Sequence, residues 1–162
     1  IEKNYNNRGV QIVALDEIEY DASIKIYQPF MANPFLIDGH AFDFGVYVLI
    51  TSVNPLKIYR YATENFIRFC PDEYLPFDPE DPDKYAVDGD HLSAFEMPSF
   101  EELYENYGYS FKLIFEHIIR EKGFSVENLW QNIDDAISTV ILQNEKHIIK
   151  AVSEFFYILL HF

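Results

Sequence analysis

Residues 28–52 read QPFMANPFLIDGHAFDFGVYVLITS, and this is the most informative stretch of the chain. The Asn-Pro pair at 33–34 breaks an extended segment, because Asn-Pro favours a turn and proline has no N–H to donate to a neighbouring strand. The Asp-Gly pair at 38–39 is a strong hairpin signal. Residues 42–51 then form a continuous apolar run, which is typical of a strand that is buried on both faces. The stretch therefore predicts short strands connected by tight turns.

The sequence on both sides of this stretch also predicts strands. Residues 10–13 form a short apolar run, and residues 24–28 alternate between apolar and polar side chains, as in a half-buried strand. After an Asn-Pro turn, residues 56–61 alternate in the same way, and residues 66–69 follow another turn. Because the connections are short, we expect an antiparallel meander over residues 8–70.

The later part of the chain predicts helices. Ser99 and Glu102 have the spacing of a capping box, which indicates the start of a helix. Residues 110–122 carry apolar side chains at every third or fourth position, so a second helix is predicted there. Ser125 is the predicted N-cap of a third helix, and a last helical segment is expected from Glu145 onward.

The fold class that follows from these patterns is α+β, in one domain that covers residues 1–162. An antiparallel sheet at residues 8–70 precedes a helical segment at residues 98–162, and an acidic, proline-rich loop at residues 71–97 connects them. The first residue is Ile and not Met, so we expect the domain to be incomplete.

Negative charge dominates the chain and is concentrated in one region. The net charge is −15. Residues 71–110 contain twelve acidic side chains and one basic side chain, Lys84, which gives 1 − 12 = −11 for this region. Nucleic acids and anionic membranes need cationic surfaces, so we expect neither as a partner. Cys70 is the only cysteine, which excludes an intrachain disulfide and favours a small core residue in a cytoplasmic protein.

Residues 28–31 (Gln-Pro-Phe-Met), followed by Asn-Pro at 33–34, resemble the adenine-binding hinge of the tubulin–tyrosine ligase-like family, in particular its glutamylase-like branch. Members of this family are ATP-grasp enzymes that join an amino acid to a protein carboxylate. The resemblance implies that the Pro29 C=O and the Met31 N–H face adenine, with Gln28 beside the base. The alternative, that Gln28 merely ends a strand, stays open.

A second motif, residues 39–47, reads GHAFDFGVY and resembles the family pattern Gly-x-Lys-Phe-Asp-x-Arg-x-Tyr. The resemblance implies that Asp43 stands at the nucleotide. The family's Lys and Arg positions are Ala41 and Gly45 in this chain. Each lost cation removes a charge-assisted contact worth about 1.5–3 kcal/mol. We therefore expect weakened binding of phosphate and of acidic substrate.

Two basic residues resemble cationic positions of the family. Lys3, followed by Arg-Gly at 8–9, resembles a lysine on the phosphate side of the site, although a solvated Lys3 is an equal alternative. Arg68 lies between apolar residues, as a family arginine does, and the resemblance implies a catalytic contact with the γ-phosphate or a substrate carboxylate. The alternative is that Arg68 pairs with the acidic loop.

In the family, Mg²⁺ is held by an Asp and by a Glu-x-Asn motif on strands that follow the helices. This chain ends at Phe162, about where the first of these carboxylates is expected, so we assign no metal ligand. The resemblance implies ATP and Mg²⁺ as cofactors of an intact member, and tubulin or another acidic protein tail as its partner. We therefore expect a fragment of a polyglutamylase-like ligase that is inactive alone, located in the cytoplasm and at microtubules. The alternative is a catalytically dead ATP-grasp-like protein that acts as a binding or scaffold module.

Overall fold

The computed structural model describes residues 12–18, 27–87 and 89–151. Two predicted strands fall partly outside these ranges: residues 10 and 11 of the strand at 10–13, and residues 24–26 of the strand at 24–28. Among the described residues, no helix has the length and apolar character that crossing a membrane requires.

The chain divides into two compact units, and each is built from two segments of sequence. The first unit comprises Ile1–Gly45 and Phe66–Phe111, and the second comprises Val46–Asn65 and Lys112–Phe162. Each unit combines strands with helical structure. The α+β class that the sequence predicts is thereby confirmed.

The strands are short and antiparallel. In chain order they are β1 (Phe42–Gly45), β2 (Val48–Val53), β3 (Leu56–Arg60), β4 (Phe66–Phe69) and β5 (Leu92–Ser93). In the first unit β4 lies between β1 and β5, and in the second unit β2 and β3 form a hairpin. The strands predicted at residues 56–61 and 66–69 are therefore present, and the first ends one residue earlier than predicted, at Arg60.

The prediction of one continuous strand over residues 42–51 is wrong. The run is divided between β1, which pairs with β4, and β2, which pairs with β3. The prediction of a simple meander is therefore also wrong. The partner strands β1 and β4 are separated in sequence by the β2–β3 hairpin, which forms its own sheet. One face of that hairpin is open to solvent, because the directly opposed Leu49 and Tyr59 are both exposed. An unbroken apolar run does not reveal where the chain leaves one sheet for another.

The core of the first unit lies on one face of its three-stranded sheet. Along β4, Ile67 and Phe69 are buried while Phe66 and Arg68 are not, which is the alternation expected of a half-buried strand. The ring of Phe69 packs 5.7 Å from the ring of Phe100, and both side chains are fully buried. The opposite face of the sheet therefore presents Arg68.

Helices occupy the later part of the chain, as predicted. They are α1 (Pro98–Glu101), α2 (Phe111–Glu121) and α3 (Val126–Gln143), and residues 145–151 are also helical. The N-cap prediction for α3 is confirmed, because the Ser125 side chain accepts a hydrogen bond from the Asn128 N–H. The prediction of a capping box at Ser99 and Glu102 is wrong.

The capping box is instead formed by Ser93 and Glu96, at the start of a short 3-10 turn that precedes α1. Pro98 occupies the beginning of α1, a position that proline favours because its missing N–H is not needed there. Ser99 is committed elsewhere, since its backbone N–H donates to the Asp38 carboxylate at 2.9 Å. The three-residue spacing occurs at both pairs, so the pattern alone did not identify the correct one.

The second unit is held together by a polar cluster around its single tryptophan. Arg60, at the end of β3, donates from Nε to Oδ1 of Asp134 on α3 at 2.6 Å, and its guanidinium lies 4.4 Å from the centroid of the Trp130 ring. The Trp130 indole N–H donates to Oε1 of the buried Glu116 at 2.8 Å. Lys112 forms an ion pair with Glu116 at 3.1 Å. These contacts join the hairpin to α2 and α3.

Candidate functional site

The predicted hinge is an exposed segment that one hydrogen bond fixes to the first unit. The Tyr74 hydroxyl donates to the Met31 C=O at 2.5 Å. Among the described residues, neither the Pro29 C=O nor the Met31 N–H has a hydrogen-bond partner. Gln28 is also exposed. The Pro29 C=O and the Met31 N–H, which the hinge interpretation needs, are thus available for a ligand. The Met31 C=O is restrained by its hydrogen bond from Tyr74.

An aromatic cluster packs against the hinge segment through Phe30. The rings of Phe30, Tyr74, Phe77 and Tyr85 pack with centroid separations between 5.0 and 6.3 Å. Most of these contacts are edge-on or tilted, an arrangement that aromatic pairs prefer over face-to-face stacking. Sequence reasoning missed this cluster, because three of its members lie in the acidic loop. The signal available in the sequence was the presence of three aromatic residues, Tyr74, Phe77 and Tyr85, in an otherwise acidic and proline-rich loop.

Asp43 and Arg68 are brought together as directly opposed residues of β1 and β4. Arg68 donates from Nε to Oδ1 of Asp43 at 2.9 Å, and its second guanidinium nitrogen donates to Oδ2. A partner of Arg68 is therefore on the neighbouring strand, and its pairing with the acidic loop stays a prediction. Because both side chains are partly exposed, this bidentate pair contributes no more than about 1 kcal/mol of stability. The Asp43 carboxylate offsets the positive charge of Arg68, which the predicted contact with phosphate or a substrate carboxylate requires.

The two positions where the family pattern has cations differ in their surroundings. Ala41 is buried in a small cluster with Cys70 and Tyr74, so a lysine there would displace core atoms. Gly45 has room for a side chain, because a Cβ added to it would meet Phe66 atoms no closer than 3.7 Å, an ordinary van der Waals distance. Gly45 is therefore the position at which a cation is structurally tolerated.

The predicted core role of Cys70 is confirmed, since its side chain is fully buried. Burial, together with the smaller effect of the nearby carboxylates of Asp43, Asp83 and Asp72, raises the pKa of the Cys70 thiol to about 11. A thiol with so high a pKa is protonated at neutral pH and is a poor nucleophile. Cys70 therefore packs and does not react.

Metal ligands and phosphate-binding cations are scarce in the described part of the chain. Lys3 lies outside the described residues. Within residues 12–18, 27–87 and 89–151, no group of three or more His, Cys, Asp or Glu side chains is arranged to hold a metal ion.

The second unit contains an open pocket of about 250 Å³ that sequence reasoning did not identify. It is lined by Ile58, Arg60, Asp134, Ile137 and Ser138. The two charged groups of this pocket satisfy each other through the ion pair that joins β3 to α3. The structural use of Asp134 in this pair leaves the pocket without a free charge for a ligand.

The sequence was compared with known proteins and families. The model of the tubulin-tyrosine ligase family matches residues 1–158. The chain is 31% identical over 140 residues to a probable tubulin polyglutamylase, ttll-15 of Caenorhabditis elegans, with 86% of this chain and 27% of that protein covered.

Two further relatives come from vertebrates. The chain is 31% identical over 139 residues to the tubulin polyglutamylase ttll6 of Danio rerio, covering 83% of this chain and 17% of that protein. It is 24% identical over 129 residues to the tubulin monoglutamylase TTLL4 of Mus musculus, covering 76% and 11%. The chain thus spans about a quarter of these relatives' length or less. No solved structure matches. The family match over nearly the whole sequence shows that this chain belongs to the tubulin-tyrosine ligase family.

Proposed function

We propose that this chain is part of an ATP-dependent ligase that attaches glutamate to carboxylates of protein tails such as those of tubulin. The observation that carries the proposal is the family match over residues 1–158, together with relatives that are named as tubulin polyglutamylases and a monoglutamylase. Because the chain covers only a fraction of those relatives, the activity is proposed for the longer protein and not for these 162 residues alone.

The role that we assign to the chain's own residues is recognition of adenine. The Pro29 C=O accepts a hydrogen bond from the base, and the Met31 N–H donates one. The Tyr74 hydroxyl, by holding the Met31 C=O, reduces the conformational freedom that this segment loses on binding. Gln28 contacts the edge of the base from its exposed position.

The phosphate end of the nucleotide finds little counter-charge in the described residues. Arg68 is neutralised by Asp43, and the positions with family cations are Ala41 and Gly45. We therefore propose that ligands for Mg²⁺ and cations for phosphate come from outside the described residues. An acidic tail is repelled by the acidic segment at residues 71–97, so its positive contacts must also come from elsewhere.

The second candidate function is that of a binding or scaffold protein without catalysis. The closed Asp43–Arg68 pair favours it, because each side chain satisfies the other and neither is left for a substrate. The two candidates differ in what the longer protein does with ATP, and the following experiment separates them.

The purified chain is incubated with ATP, MgCl₂, glutamate and tubulin, and ADP is measured with a coupled assay. We expect no ADP above the protein-free background, and mass spectrometry of the tubulin tails detects no added glutamate. ADP formation that Asp43→Asn abolishes would show that the chain is a complete enzyme. The same assay on the longer protein is expected to yield glutamylated tails, whereas its failure there, with no melting-temperature shift by Mg-ATP, would favour the scaffold function.

A further inference from the structure

An exposed apolar patch lies on the surface of the first unit. We use the name apolar patch for Phe30, Met31, Leu75 and Phe77, whose side chains are between 42% and 70% exposed. Two of these residues belong to the hinge segment and two to the loop that follows β4. Phe30 and Phe77 contact each other directly, Met31 follows Phe30 in sequence, and Leu75 is two positions before Phe77. Exposed apolar side chains that lie together are typical of interaction surfaces.

The patch is held in place before any partner arrives. Phe30 and Phe77 contact each other at a centroid separation of 5.4 Å, and both rings pack against Tyr85. The hydroxyl of Tyr85 also accepts a hydrogen bond from the Asp78 N–H at 2.6 Å. A surface that is already ordered loses less conformational entropy on binding, which favours affinity.

Several carboxylates flank the residues of this patch in sequence, and the described residues provide no ion pair to any of them. They are Asp72, Glu73, Asp78, Glu80, Asp81 and Asp83. Among the described residues none of these six forms an ion pair. Lys84, the one base in this region, donates instead to the Pro76 C=O at 3.1 Å. Two of these carboxylates, Asp72 and Asp83, also contribute to the raised pKa of the buried Cys70 thiol.

We propose that the apolar patch is a docking surface for a basic peptide segment of a partner protein, one that carries large apolar side chains between its Lys or Arg residues. The apolar side chains of the partner pack on Phe77 and Leu75, and its cations meet the surrounding carboxylates. Charge complementarity selects this occupant, because a nucleic acid or an acidic tail brings more negative charge to a surface that is already negative. This partner is separate from the nucleotide and from the acidic substrate proposed above.

The test measures binding of the full chain to fluorescent peptides by anisotropy. The probe repeats the unit Lys-Leu-Lys-Phe three times, and two controls replace it with Lys-Ser-Lys-Gly or with Glu-Leu-Glu-Phe. We expect saturable binding of the probe that weakens when NaCl is raised, because salt screens exposed charges. Equal binding of the Lys-Ser-Lys-Gly control would show non-specific charge attraction and overturn the proposal. So would preference for the acidic control.

Matched variants locate the surface. Phe77→Ser and Leu75→Ser are each expected to weaken probe binding by about tenfold, the effect of removing an interface anchor. Leu49→Ser is the control, since Leu49 and Leu75 are equally exposed, at 62%, and Leu49 belongs to the second unit. An equal loss with Leu49→Ser overturns the proposal. Phe77 packs on Phe30 of the hinge, whereas among the described residues no ring contact joins Leu75 to it, so Leu75→Ser is the variant that distinguishes a failure of peptide docking from a failure of nucleotide binding.

The charge contribution is tested with a triple variant, Glu80→Gln with Asp81→Asn and Asp83→Asn. We expect about a tenfold loss of probe affinity at low salt and a smaller loss at high salt. The control is Glu121→Gln with Asp135→Asn, which removes two exposed carboxylates from the second unit. Unchanged affinity in the triple variant would contradict the assignment of the carboxylates to the docking surface.

Discussion

Phe69→Ala is expected to lower the free energy of unfolding by about 3–5 kcal/mol, the range for a fully buried phenylalanine. Phe69 lies on β4, has no solvent exposure, and packs on the rings of Phe42 and Phe100. The substitution removes apolar contact area and leaves a cavity that the surrounding rings fill only in part. The strand that places Arg68 opposite Asp43 is the strand that loses its anchor.

The matched control for this variant is Phe66→Ala, in the same strand. Phe66 is 49% exposed, so its truncation is expected to cost less than about 1 kcal/mol. Urea unfolding followed by circular dichroism measures both. Similar losses for the two variants would contradict the assignment of one buried and one exposed face to β4.

Trp130→Ala is expected to destabilise the chain by about 2–4 kcal/mol, through lost packing and through the loss of a donor to a buried carboxylate. Trp130 is half-buried, contacts Arg60 and Lys112 through its ring, and donates its indole N–H to Glu116. Truncation therefore removes one of the contacts that join the hairpin to α2 and α3, and the Arg60–Asp134 ion pair remains. Leu142→Ala, at an exposed position of α3, is the control and is expected to have little effect.

Trp130→Phe separates the hydrogen bond from the packing, and its expected cost is about 1–2 kcal/mol. Burial raises the pKa of Glu116, but the hydrogen bonds from Lys112 and Trp130 outweigh this, and the pKa falls below its ordinary value of 4.5. A lowered folded-state pKa stabilises the fold above pH 4.5, and the contribution is lost as the pH falls through the folded-state value.

The destabilisation by Trp130→Phe is therefore expected to be largest at neutral pH and to shrink in acid. Urea unfolding at several pH values measures this dependence. A difference between the two proteins that does not change with pH would contradict the assigned hydrogen bond to an ionised Glu116.

The elements that the sequence predicts well are those whose stabilising interactions are local. The N-cap at Ser125 depends on one side chain and the first turn of its helix, and α2 depends on apolar spacing within eleven residues. The division of residues 42–51 between two sheets was not predictable in this way. It depends on pairing with β4 and β3, which follow in sequence and whose order no local pattern encodes.

The candidate site divides along the same line. The assignment of the hinge residues, and of Ala41 and Gly45 to the family's cation positions, follows from motif spacing and stays a prediction. The partner of Arg68 is not, because the pairing of β1 with β4 brings Asp43 opposite it across 25 positions of sequence. The aromatic support of the hinge likewise arises from a loop more than forty positions away, through Tyr74 and the Met31 C=O.

In the proposed function, the backbone at residues 29–31 binds adenine while the phosphates receive little counter-charge from the described residues. The most direct test titrates the isotopically labelled chain with adenosine and with Mg-ATP, and follows the Met31 amide resonance. We expect a saturable shift for both ligands, with dissociation constants within about a factor of three, because the shared adenine supplies most of the affinity.

Gly45→Arg is the matched variant, since it adds a cation on the same face of β1 as Asp43, at a position with room for a side chain. It is expected to tighten Mg-ATP binding by about tenfold or more, the effect of one charge-assisted contact, and to leave adenosine unchanged. A Met31 resonance that adenosine does not move, or an unmodified chain that binds Mg-ATP far more tightly than adenosine, would contradict the account.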